Sequence, residues 1–76
     1  MSPKLPRITA RELLRALHRA GWYDSRQVGS HLTLRHPDRP GKIVVPVHAG
    51  AILKPGLLQG ILDDAGMTVD ELRDIL

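Results

Sequence analysis

Between His31 and Arg35 polar and apolar residues alternate without a break, and from Lys42 to His48 β-branched residues recur at every second position. A period of two belongs to a half-buried β-strand, not to a helix, and it confines the centre of this chain to a sheet. His31, Thr33 and Arg35 point one way, Leu32 and Leu34 the other. In the second stretch Ile43, Val45 and Val47 share a face, while Lys42, Val44, Pro46 and His48 share the opposite one. The segment His36-Pro37-Asp38-Arg39-Pro40-Gly41 between them reads as a turn by composition. Pro46 cannot donate to a ladder, so an edge position or a bulge is expected there. An earlier strand begins at Trp22-Tyr23, ends near Gln27 and is broken by Gly29.

Helical signals bracket this block. Thr9 and Glu12 form a capping box, with Ile8 and Leu13 spaced as a hydrophobic staple. Ala10, Leu13, Leu14, Leu17 and Ala20 repeat at helical spacing, and Gly21 stands where a helix ends. The other face carries Arg11, Arg15 and Arg19. A second helix starts near Lys54-Pro55, buries Leu57, Leu58, Ile61, Leu62 and Ala65, and stops at Gly66. Gly60 inside it suggests close packing, since glycine costs a helix up to about 1 kcal/mol against alanine. Thr68 and Glu71 open a short last helix with Val69, Leu72, Ile75 and Leu76 on its apolar side. Strands grouped between helices predict an α+β fold of order α-β-β-β-α-α, with an antiparallel sheet covered on one face.

The chain has 76 residues and no cysteine. It is read as one domain over 1–76, with residues 1–7 a flexible basic lead. No thiolate is on hand for zinc or for nucleophilic attack. No apolar run reaches the roughly 18–20 residues needed to cross a bilayer, so no membrane association and a cytoplasmic setting are expected. Charge is unevenly spread. Residues 1–48 carry nine Lys/Arg against three acids, and residues 49–76 carry two against five. Eight of the eleven cations are Arg, whose planar fork suits phosphate. This asymmetry points to an anionic partner; a solvated basic face is the plainer alternative.

If the turn at 36–41 joins the two alternating strands, the simplest register pairs Arg35 with Lys42, Thr33 with Val44 and His31 with Pro46. Leu32, Leu34, Ile43, Val45 and Val47 then face the helices. His31, Thr33, Arg35, Lys42 and His48 share the open side, His48 diagonal to His31 at roughly 7–8 Å between Cβ atoms. A slip of one residue would bury His31 among leucines. Histidine is the usual proton-transfer residue near neutral pH. RNA can be cleaved without a metal when the ribose 2′-OH is the nucleophile. One group removes its proton, another protonates the leaving 5′-oxygen, and cations stabilise the phosphorane.

On this reading His31 is a candidate general acid or base and His48 a second proton-transfer group. Gly29 and Ser30 shape a phosphate pocket, and Arg26, Arg35 and Lys42 bind phosphate. The plainer readings are a solvent-facing strand histidine at 31 and a strand-end residue at 48. His36 reads as solvated and His18 as a surface residue. Trp22 reads as core, leaving Tyr23 free to stack on a base. No metal site and no cofactor are expected: positions 31 and 36 have opposite parity, and no carboxylate lies at ligand spacing from His31 or His48.

Arg26-Gln27-Val28-Gly29-Ser30-His31, Pro46-Val47-His48, Leu53-Lys54-Pro55-Gly56 and Ile61-Leu62-Asp63-Asp64-Ala65-Gly66 together resemble the HicA family of toxin–antitoxin systems, from about Ile8 to the C-terminus. The resemblance implies a double-stranded-RNA-binding-domain-like α-β-β-β-α fold, here with a short extra C-terminal helix. It implies an mRNA-cleaving toxin whose catalytic histidine is His31, and a cognate HicB-like antitoxin covering the active site. A dimer, or a higher complex with the antitoxin, is left open. Val28 stands where that family often has a basic residue, Leu57 where it has threonine and Gln59 where it has a cation. Two other classes fit the residues: a non-catalytic RNA-binding module, and an interaction domain docking an acidic partner on Arg11, Arg15 and Arg19.

Overall fold

A computed structural model describes residues 4–48 and 50–76. The elements are α1 (Ala10–Arg19), β1 (Tyr23–Val28), β2 (His31–His36), β3 (Arg39–Pro46), α2 (Pro55–Ala65) and α3 (Val69–Ile75). The strands form one antiparallel sheet in the order β1-β2-β3. This is the expected α+β, double-stranded-RNA-binding-domain-like arrangement. Residues 1–3 of the expected basic lead lie outside the described residues. Of the rest, Leu5 packs against the core, and the Arg73 guanidinium donates to the Lys4 carbonyl.

Both capping boxes close. The Thr9 N–H donates to Glu12 Oε1 at 3.0 Å and the Glu12 N–H to Thr9 Oγ1 at 3.2 Å. Thr68 and Glu71 repeat this at 2.9 and 3.1 Å. Donation by the threonine backbone, then by its hydroxyl, holds both glutamates below the ordinary carboxyl value of 4.5. A carboxyl so lowered stabilises the fold above its ordinary value, and that contribution is lost as pH falls through the lowered one. Glu12→Gln combined with Glu71→Gln is therefore expected to flatten the loss of stability between pH 5 and about pH 3. Urea midpoints at the two pH values read this directly, and an acid loss as steep as in the parent protein would contradict it.

One apolar core lies between the sheet and the helices. Leu13, Leu17, Leu34, Ile43, Val45, Leu58, Leu62 and Leu72 are fully buried in it. On α1 the buried face is Ala10, Leu13, Ala16 and Leu17, which leaves Leu14 half-buried at its margin. Trp22 is buried beneath the sheet, as expected, and its neighbour Tyr23 is exposed.

Two expectations for α2 need correction. Leu57 is 42% exposed and outside the core stripe. A Cβ placed on Gly60 meets nothing within 4 Å, so no close packing explains that glycine. Gly60→Ala is then expected to raise stability by about 0.5–1 kcal/mol, by lowering the entropy lost on folding. A thermal midpoint that stays put or drops would contradict it.

The β2–β3 register follows the alternation over four pairs: His31 with Pro46, Leu32 with Val45, Thr33 with Val44 and Leu34 with Ile43. It then shifts, and His36 pairs with Arg39. The expected Arg35–Lys42 pair is not made. Pro40, without an N–H, falls in the bulged stretch, and the connection tightens to Pro37-Asp38. β3 is an edge strand, where Pro46 is tolerated, and it stops at Pro46 rather than reaching His48.

His36 is not solvated as expected. It is half-buried, with its ring edge-on to Trp22 at 5.3 Å between centroids. Its Nε2 lies 3.0 Å from the Ala20 carbonyl, and the Asp38 N–H donates to Nδ1 at 3.0 Å. The carbonyl can only accept and the amide can only donate, which sets the Nε2–H tautomer. One ring thus ties the end of α1 to the β2–β3 turn.

Candidate nucleic-acid interface on the open sheet face

β1 and β2 are joined by Gly29-Ser30, with φ +59° at Gly29 and no positive φ at Ser30. That is the pattern of a two-residue II′ hairpin turn, which calls for glycine at its first position. The turn places Val28 opposite His31, Arg26 opposite Thr33 and, past a bulge, Tyr23 opposite Arg35. Opposed residues of an antiparallel pair project to the same side. The open face therefore carries three rows: Val28-His31-Pro46, Arg26-Thr33-Val44 and Tyr23-Arg35.

Leu32 and Leu34, of opposite parity, are buried, while His31 and Arg35 are exposed. His31 thus projects from the side of the sheet that the helices leave uncovered. Arg26 is diagonal to it, roughly 7–8 Å away between Cβ atoms. Arg35 lies two rows on, about 13 Å along the strand. Lys42 is exposed within the irregular part of β3, where pairing does not set its side.

No carboxylate is paired into these three rows. Among the described residues the sole ion pair is His18 with Asp24, at 2.7 Å. It leaves Arg26, Arg35 and Lys42 without an acidic partner. Tyr23, Val28 and Val44 are 49, 60 and 38% exposed, so the cations stand among uncovered apolar groups rather than in a wholly polar surface.

The turn is braced on both sides. Gln27 Nε2 donates to the Gly29 carbonyl at 3.2 Å, and the Val47 N–H donates to the Ser30 carbonyl at 2.6 Å. The second bond brings the chain leaving β3 alongside Gly29-Ser30. His48 follows immediately, exposed, and lines a shallow depression with Thr9 and Arg11. Because β3 has already ended, strand alternation does not put His48 on the open face. The structure collects His31, Arg26 and Arg35 on one surface, with Gly29 and Ser30 at its end and His48 at its margin.

Sequence reasoning missed two polar side chains that hold this scaffold, His36 and Arg39. The Arg39 guanidinium donates to the Ala65 carbonyl at 2.8 Å, capping the C-terminus of α2 from the start of β3. Among the described residues no three His, Asp or Glu side chains gather where they could hold a metal ion. No helix among them is long and apolar enough to cross a membrane.

A comparison with protein-family models matches residues 10–67 to the family described as HicA toxin of bacterial toxin-antitoxin. The match spans all three strands and both long helices, which is more than half of the chain. No curated protein matches the chain.

Proposed function

The chain belongs to the HicA toxin family of bacterial toxin–antitoxin systems, and from that premise we propose that it is a metal-independent endoribonuclease that cuts mRNA by histidine acid–base chemistry. The observation that supports this reading is His31: an exposed imidazole on the uncovered face of the sheet, with Arg26 diagonal to it and no carboxylate paired beside it.

A phosphodiester laid across β2 would meet His31 at the ribose and the Arg26 guanidinium at the phosphate. His31 exchanges the proton of the 2′-OH or of the leaving 5′-oxygen. His48, carried by the segment braced against Ser30, is the second proton-transfer group. Gly29, without a side chain, lets the backbone come close to phosphate, and Ser30 adds a hydroxyl donor. Arg26, Arg35 and Lys42 offset the charge that builds on the phosphorane. Tyr23, exposed next to Arg35, offers a face on which a base can stack.

The protein acts in the cytoplasm on this reading, where a cognate HicB-like antitoxin neutralises it by covering the open face. The test is incubation of the purified chain with end-labelled RNA in excess chelator. Fragments are expected. RNA retained intact would reassign the domain to a non-catalytic RNA-binding module, and fragments formed only without chelator would refute metal independence.

A further inference from the structure

A second basic surface lies around the edge of β3 from His31. It is a shallow trough along the outer side of α1. Arg11, Leu14, Arg15, His18 and Val47 line one part of it. Arg11, Val47 and His48 belong to the next part. The shared Arg11 and Val47 make the two continuous, and among the described residues no carboxylate lines either.

Arg11 and Arg15 are exposed and stand one helical turn apart, which puts their Cβ atoms about 5–6 Å from each other. Neither forms an ion pair among the described residues. Glu12, their nearest acid in sequence, is held by the Thr9 cap and feels the Arg15 charge without pairing with it. Arg19, the third arginine of that helix face, is committed elsewhere: its Nε donates to the Ile75 carbonyl at 3.0 Å. His18 is held by Asp24, which ends the unpaired positive run at that side.

The trough adjoins the open face. His31 pairs with Pro46, and Val47, the next residue, is bonded to Ser30 while forming a wall of the trough. A chain crossing β2 at His31 and continuing outward over the edge of β3 passes Pro46 and Val47, and Val47 lines the trough together with Arg11. We propose that the trough holds the ribose–phosphate backbone flanking the scissile bond, with Arg11 and Arg15 each neutralising one phosphate. This rests on the ribonuclease reading of His31. It adds contacts from Arg11 and Arg15 to phosphate, which position the strand without specifying its sequence. An acidic protein segment would also match the charge. Its apolar side chains, however, are only Leu14 and Val47, and its continuity with His31 favours the nucleic acid.

The test uses the full chain carrying His31→Ala, so that RNA survives, with fluorescein-labelled RNAs of about 4 and about 12 nucleotides. The longer RNA is expected to bind the tighter. Adding Arg11→Gln and Arg15→Gln should remove that gain, weakening the longer RNA about tenfold. It should also make the slope of log K against log salt shallower by about 1.4, or about 0.7 for each phosphate lost. Unchanged gain and slope would overturn the proposal. So would loss of polyglutamate binding with RNA binding intact, which would assign the trough to an acidic protein segment. Cleavage by the parent protein is scored in parallel. Cleavage with an unchanged slope removes the trough alone. A changed slope without any cleavage removes the ribonuclease reading and leaves the trough as an RNA-binding surface.

Discussion

His31→Ala is expected to lower the rate of RNA cleavage by about 10²–10⁴-fold, the usual contribution of a positioned acid or base. Its thermal midpoint should barely move. The side chain is exposed and takes part in none of the side-chain hydrogen bonds that brace the hairpin, and substitutions at such surface positions stay within about 0.5 kcal/mol. His31→Gln should fall as far, because an amide keeps hydrogen bonding but cannot transfer a proton. The pair of measurements separates chemistry from folding. Equal loss of rate and of melting temperature would make His31 structural. Retained cleavage would remove it from the mechanism.

Gly21→Ala is expected to be the costliest small substitution in the scaffold. Gly21 has φ +99°, which a residue with a Cβ rarely adopts. An added Cβ would also sit 2.7 Å from His36 Nε2. That ring cannot swing aside freely: it is held by the Ala20 carbonyl, by the Asp38 N–H and against Trp22. Strain of about 1–3 kcal/mol and a lost hydrogen bond of about 1 kcal/mol together predict a loss of roughly 2–4 kcal/mol. In a domain of this size that lowers the thermal midpoint by about 10–25 °C. Gly29→Ala is the control. Its φ of +59° is also positive, but nothing lies within 4 Å of a Cβ there, so only the backbone strain applies. Equal losses at the two positions would show that the His36 contact adds nothing.

The contrast between Gly21 and Thr9 shows what a sequence can disclose. The cap at Thr9 is closed by a residue three positions away, so the spacing of Thr9 and Glu12 announces it. The strand register was legible for a similar reason. A one-residue slip of β2 against β3 would turn Leu32 and Leu34 outward and bury His31, so the alternation decides which face His31 takes. What stayed hidden depends on groups distant in sequence. His36 meets Ala20 from sixteen residues away, and Arg39 meets Ala65 from twenty-six. No local pattern marks either bond.

The candidate site divides along the same line. The sides of His31 and Arg35 are legible because strand parity decides them, whereas that of Arg26 emerges only from the bulged β1–β2 pairing. That of His48 is not, because Lys42 to His48 reads as one continuous strand while the ladder ends at Pro46. Lys42 falls in a bulge set by Pro40, where alternation no longer tells which face a side chain takes.

The chemical ends of the RNA products test most directly whether an imidazole at position 31 moves the proton of a ribose hydroxyl. Mass spectrometry of fragments made in chelator should find 2′,3′-cyclic phosphate on one side of the cut and a 5′-hydroxyl on the other, with both formed about 10²–10⁴-fold more slowly by His31→Ala. Fragments ending in 3′-hydroxyl and 5′-phosphate would mean that water, not the ribose, attacks, and would contradict the account.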